Sequence, residues 1–147
     1  MPSIRRQSHV PYTAEQMFAL VNDIDAYPQF LEWCTGAQIL RRGDHFIEAT
    51  LRIGFAGFQK SFTTRNTLEA PTRIGVSLVS GPFKRLEGEW HFNPTDDGGC
   101  TTELSLDFEV TPSPLSMIMS SVFEEVARSQ MNAFLKRAHD IYGQRNE

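Results

Sequence analysis

Five stretches of this chain alternate apolar and polar residues, and one long amphipathic segment follows them. In the last stretch Leu104, Leu106, Phe108 and Val110 point one way, while Glu103, Ser105, Asp107 and Glu109 point the other. Successive side chains of a strand project to opposite faces, so this period marks a strand with one buried and one wet face. Leu86, Trp90 and Phe92 repeat the pattern against Arg85, Glu87, Glu89 and His91, as do Ile74, Val76 and Leu78 against Arg73, Gly75 and Ser77. An antiparallel sheet with one apolar face needs a cover. Residues 115–142 supply it, because Ile118, Met119, Val122, Phe123 and Val126, then Phe134, Ala138 and Ile141, recur at helical spacing. The pattern predicts an α+β fold, a curved antiparallel sheet wrapped around a long C-terminal helix. Function is then to be sought between the two.

Further elements fill in around that plan. Residues 4–10 read as a first strand ended by Pro11. Thr13 and Gln16 have capping-box spacing, and Met17, Phe18, Leu20, Val21 and Ile24 give a short helix its apolar face. Asp23 or Asp25 can start a second short helix, which Pro28 either begins or interrupts. Strands follow at residues 37–41, 45–53, 58–68, 74–79 and 85–93 before the last one. Between them lie turn signals: Gly43-Asp44, Gly54-Phe55-Ala56-Gly57, Ala70-Pro71-Thr72, Gly81-Pro82-Phe83-Lys84 and Asp96-Asp97-Gly98-Gly99. Connections this short favour antiparallel pairing of sequential neighbours. Pro112-Ser113-Pro114 ends the sheet, with Ser113 suited to cap the long helix, Pro114 to its first position, and Gly143 to its end.

Bulk properties narrow the class. At 147 residues the chain has the size of one domain, 1–147, able to bury about two thirds of its unfolded surface. A net charge of −4 argues against general nucleic-acid binding and against DNA as a partner, because phosphate affinity needs a cationic surplus. Cys34 and Cys100 are too few for a disulfide scaffold and fit a reducing compartment. No apolar run approaches the ~20 residues needed to span a bilayer, and MPSIRRQSHVPY lacks the apolar core of a signal peptide. The expectation is a cytoplasmic protein.

Three blocks carry a family resemblance. Val21-Asn22-Asp23-Ile24-Asp25-Ala26-Tyr27-Pro28-Gln29-Phe30-Leu31, followed by Trp33-Cys34, resembles the signature of the coenzyme-Q-binding START-like family. Phe62-Thr63-Thr64-Arg65-Asn66 and Gly81-Pro82-Phe83-Lys84-Arg85-Leu86-Glu87-Gly88 match two further blocks. Glu32 departs from it, since many relatives carry proline before the tryptophan. The resemblance implies a helix-grip fold with two short helices after the first strand. It implies non-catalytic binding of a hydrophobic small molecule, with ubiquinone or a related isoprenoid quinone as the leading ligand, in support of respiratory electron transport. A toxin branch of the family is instead described as binding the large ribosomal subunit and blocking subunit association.

The candidate residues follow from pattern and resemblance together. Leu86, Trp90, Phe92, Leu106, Phe108, Met119, Val122 and Phe123 are placed around a cavity between sheet and helix, with Phe30 and Trp33 near one end. The alternative is that the same side chains fill a solid core. Phe55 and Phe58 at a glycine-flanked hairpin tip, and Phe83 after Gly81-Pro82, either fold back onto the sheet or face outward as entrance loops, where they would touch a membrane surface peripherally. Arg65 either pairs with an acid or hydrogen-bonds a quinone carbonyl at the cavity mouth. Together with Arg65, the basic residues Arg41, Arg42, Lys60, Lys84, Arg85, Arg128, Lys136 and Arg137 either form a patch for ribosomal RNA or anionic lipid or, scattered over an acidic chain, make an ordinary solvated surface. His9, His45, His91 and His139 have no metal-ligand spacing. Cys34 reads as a buried structural thiol.

Overall fold

The computed structural model describes residues 3–55 and 57–143 and, of Phe55 and Phe58, the backbone. The strands are β1 (Ser3–Val10), β2 (Cys34–Arg42), β3 (Phe46–Phe55), β4 (Phe58–Glu69), β5 (Arg73–Ser80), β6 (Phe83–Pro94) and β7 (Cys100–Val110). The helices are α1 (Ala14–Asn22), α2 (Tyr27–Phe30) and α3 (Ser116–Tyr142), with a 3-10 turn at Ile24–Ala26 before α2. Pro28 therefore begins a helix rather than interrupting one.

The strands form one curved antiparallel sheet in the order β1-β7-β6-β5-β4-β3-β2. From β2 to β7 this is the expected run of sequential neighbours. At the edges it is not: β1 pairs with β7, from Ser3 against Asp107 to Val10 against Cys100. The first two strands thus occupy opposite edges, and residues 14–30 carry the chain across the sheet. Thr13 anchors this crossing with the capping box its spacing predicts. Its hydroxyl accepts from the Gln16 amide at 3.1 Å, and its own amide donates to Gln16 Oε1 at 2.9 Å. At the β2 edge, bulges between Cys34 and Gly36 and between Ile39 and Arg41 break the register, which blunts an edge against stray pairing.

Cross-strand partners share a face, so register fixes what looks inward. One row runs Ile4, Leu106, Gly88, Val76, Asn66 and Ile47 across six strands. Gly88 is required there, because a Cβ would meet the Ser105 carbonyl oxygen at 2.3 Å. Against the concave face α3 buries Met119, Phe123, Val126, Ala127, Met131, Phe134 and Ala138. Phe134 is fully enclosed and meets Tyr27, Phe30 and Trp90 edge-on at 5.4, 5.2 and 5.2 Å between ring centroids.

The start of α3 differs from expectation. The helix begins at Ser116, with Leu115 at the cap position and no side-chain cap. Ser113 accepts from the Leu115 amide through its hydroxyl at 3.3 Å and from the Ser116 amide through its carbonyl at 3.1 Å. Proline fixes its own φ at a value equally suited to a turn, so Ser113-Pro114-Leu115-Ser116 closes as a turn ahead of the helix. No helix among the described residues is long and apolar enough to cross a membrane.

Candidate functional site

The sheet and α3 do not meet everywhere. A cavity of about 90 Å³ lies between them. Leu86, Trp90, Leu104 and Leu106 supply one wall from β6 and β7, and Phe62, Thr64 and Asn66 another from β4. Phe123, Val126, Ala127 and Gln130 close it from α3, while Val21, Tyr27 and Trp33 close it from the segment between β1 and β2. The lining is mainly apolar. Among the described residues, none of those lining it is Asp, Glu, Lys, Arg or His.

Its polar groups are few and unevenly satisfied. Thr64 Oγ1 donates to Asn66 Oδ1 at 3.2 Å, and both residues are buried. Tyr27 donates its hydroxyl to the Val21 carbonyl; burial pushes its pKa far up, so it stays protonated. Trp33 Nε1 and Gln130 Oε1 are buried without a hydrogen-bond partner among the described residues. A buried polar group left unpaired costs roughly 1–3 kcal/mol, so two on one small cavity need a reason.

Two neighbouring spaces adjoin it. A hollow of about 20 Å³ lies among Ile53, Lys60, Pro82, Phe83, Met119, Val122 and Phe123. On the other side an open groove of about 980 Å³ runs between α2, the start of β2 and α3. The groove shares Trp33 and Val126 with the cavity, so these two side chains form the partition. Arg137 stands over the Phe30 ring in this groove, 4.9 Å from its centroid, and donates to Gln29 Oε1 at 3.0 Å.

The candidate residues separate accordingly. Trp33, Leu86, Trp90, Leu106 and Phe123 line the cavity; Phe83, Met119 and Val122 line only the small hollow; Phe30 lies in the outer groove, and Phe92 is fully buried away from the cavity. Phe108 is fully buried in ring packing, 4.6 Å from Phe123 and 6.5 Å from Phe83, and belongs to solid core. Phe83 is no exposed loop residue: it opens β6 and packs on Phe62 and Phe123 at 5.7 and 4.7 Å. The expectations for Phe55 and Phe58 fall outside the described side chains. Thr64, Asn66 and Gln130 were not singled out by sequence reasoning. The signal was present, since Thr64 and Asn66 alternate with Phe62, and Gln130 follows Val126 by one helical turn.

Arg65 does not reach the cavity mouth. Its neighbours Thr64 and Asn66 face inward, so it faces outward, where Nη1 meets Glu48 Oε1 at 3.0 Å and its guanidinium lies 4.1 Å from the Phe46 ring centroid. Arg41 holds the same carboxylate at 2.8 Å. Hydrogen bonding from Arg41, then the charges of Arg41 and Arg65, keep Glu48 below the usual carboxylate range. Cys34 is buried, donates to the Gly36 carbonyl at 3.3 Å, and has its thiol pKa pushed up by burial. His91 is partly exposed on the outer face, 2.6 Å from Glu89.

Known proteins resemble this chain in sequence and fold. The chain is 45% identical over 145 residues to the persistence and stress-resistance toxin PasT of Escherichia coli O6:H1, covering 99% of this chain and 92% of that protein. It is 44% identical to the ribosome association toxin RatA of Escherichia coli K12, with the same coverage. The mitochondrial coenzyme Q-binding protein COQ10 homolog B of Xenopus laevis is 28% identical, over 90% of this chain and 56% of its own length. Among solved structures, the 18 kDa protein CC1736 of Caulobacter crescentus superposes with a TM-score of 0.75 at 32% identity, covering 98% of this chain and all 100% of its own. The Zhui aromatase/cyclase of Streptomyces sp. R1128 superposes at 0.80 with 19% identity over 94% of this chain and 93% of its own, a likeness of fold alone. A family model for polyketide cyclase / dehydrase and lipid transport matches residues 10–135, and the chain belongs to that family.

Proposed function

We propose that this protein associates with the ribosome through its outer surface, as a toxin that binds the large subunit and hinders subunit joining. One observation carries this reading: relatives 44–45% identical over 99% of the chain are named as a ribosome association toxin and a persistence toxin. The interior supports it by its size. Ligand pockets commonly run to about 300–1,000 Å³, and this cavity measures about 90 Å³. Arg41, Arg52 and Arg65 lie on the outer face of β2–β4 beside the acids Glu48 and Glu69, a local cationic surplus on an acidic chain that suits phosphate. The test is co-sedimentation with isolated large subunits at micromolar protein in rising salt. Retention at low salt that falls away at high salt is expected; none at any salt sinks the proposal.

A second reading is binding of a neutral hydrophobic guest such as a quinone, without catalysis. The internal cavity favours it, as does the name of the Xenopus relative. A cyclase would need an acid or base among the cavity walls. Tyr27 is the titratable side chain there, and its proton is committed to the Val21 carbonyl. Native mass spectrometry of freshly purified protein tests this reading: an adduct of quinone mass supports it, and protein that stays bare even after quinone is added removes it.

A further inference from the structure

The outer face of the sheet is divided by charge. One row across it runs Arg41, Glu48, Arg65, Ser77, Glu87 and Asp107, from β2 to β7. Glu89, Glu103 and Glu109 share the outer side with Glu87 and Asp107, so phosphate is repelled from that half. At the β2 side two guanidinium groups converge on one carboxylate. Arg41 donates to Glu48 twice, Nε to Oε2 at 3.2 Å and Nη2 to Oε1 at 2.8 Å, and Arg65 Nη1 donates to the same Oε1 at 3.0 Å. The Glu48 side chain is 12% exposed against 65% and 44% for Arg41 and Arg65, so the cations lie outermost. Arg52 is exposed on the same face of β3, with no ion-pair partner among the described residues. Gln38, Thr50, Ser61 and Thr63 stand around it, amide and hydroxyl groups of the kind that bond sugar and phosphate.

Arginine pairs hold carboxylate and phosphate alike, because both anions accept several guanidinium N–H bonds. Glu48 thus fills from inside the fold a place that an outside phosphate fits. We propose that Arg41, Arg65 and Arg52 form a site for the RNA backbone in which Glu48 is a built-in competitor, holding the two guanidinium groups ready and limiting their affinity. This rests on the ribosome reading above and adds the partner, ribosomal RNA, and a residue that regulates the contact. A protein partner would require an aromatic or aliphatic anchor near the centre, and the ring here, Phe46, lies under the Arg65 guanidinium. The exposed apolar side chains a bilayer would take up, Leu115, Met117 and Ile118, are at the start of α3 rather than on this strip.

Co-sedimentation of matched variants with isolated large subunits tests this. Arg41→Gln and Arg52→Gln are each expected to weaken binding roughly three- to tenfold at about 0.1 M salt and to lower the salt slope by about 1. Arg128→Gln, the same charge change on α3, is expected to alter binding by less than about twofold. Glu48→Gln is expected to tighten binding by at least about twofold while lowering Tm, whereas a purely structural Glu48 would weaken both. Gln38→Cys carrying a photo-crosslinker is expected to capture ribosomal RNA. Equal loss in Arg128→Gln, no loss in Arg41→Gln and Arg52→Gln, or cross-links to ribosomal protein alone overturn the RNA site and leave the ribosome reading standing. Binding by Glu48→Gln that is unchanged or weaker overturns the competitor; if that variant does not fold, Glu48→Asp, with a shorter reach to the arginines, takes its place with the same sign expected. No retention of the unaltered protein at any salt overturns both the site and the ribosome reading.

Discussion

The two ends of α3 are held very differently. Toward the C-terminus, Phe134 is locked among three rings, Tyr142 donates to the Gln16 carbonyl at 2.8 Å, and Tyr12 donates to the Gly143 carbonyl at 2.8 Å. At the N-terminal end no side chain caps the helix, and Leu115, Met117 and Ile118 are 50%, 85% and 53% exposed. This exposed overhang lies near the β5–β6 turn, since Pro82 and Met119 line the same small hollow. Opening of the interior is therefore expected to begin there, since sparse burial marks the parts of a fold that open at low cost.

Substitutions can break that contrast. The largest effect belongs to Phe134→Ala at the anchored end: removing a fully enclosed ring is expected to cost about 3–5 kcal/mol, read by urea unfolding. A loss under about 1 kcal/mol would mean the rings do not lock this half. Tyr142→Phe removes one hydrogen bond and is expected to cost about 1 kcal/mol, with faster hydrogen exchange in the last turns of α3; unchanged exchange would show that Tyr142 is no anchor.

Away from the helix, the outer sheet face offers a pH test. Glu48 is held below its ordinary value of 4.5 in the folded state. Its carboxylate therefore contributes stability at neutral pH that is lost as pH falls through the folded value. Glu48→Gln is expected to lower Tm at neutral pH, with the gap to the unaltered protein narrowing as pH falls below 4.5. A gap that is constant or widens with acid would show that Arg41 and Arg65 do not act on this group as placed. The smallest effect is expected at the free end, where Met117→Ser should change stability by no more than about 0.5 kcal/mol. A larger loss would show that the overhang is covered in solution.

Much of the fold was legible before any coordinates. Period-two alternation identified the strands after the crossing, Thr13 and Gln16 announced α1, and the 3.6-residue stripe marked α3. The pairing of β1 with β7 was not legible, because a strand's own pattern names its buried face but not its neighbour. Ser113-Pro114 was misread as a helix start because the same residues suit a cap and a turn. Arg65 was left open between an acid partner and the cavity mouth; alternation with Phe62, Thr64 and Asn66 turns it outward, and Glu48 is the acid it meets. Thr64, Asn66 and Gln130 escaped notice because polar residues on an apolar face look like noise until the surrounding surface is known.

What the sequence determined by itself was the set of elements and the face each one buries, since these follow from local periodicity and turn chemistry. The tertiary structure alone decided which buried residues fill space and which border it. Phe108 and Trp90 carry the same kind of signal along the chain, yet one is packed solid and the other faces a cavity. That difference arises from how a curved sheet and a long helix fail to match in shape, a property of their packing that no single segment contains.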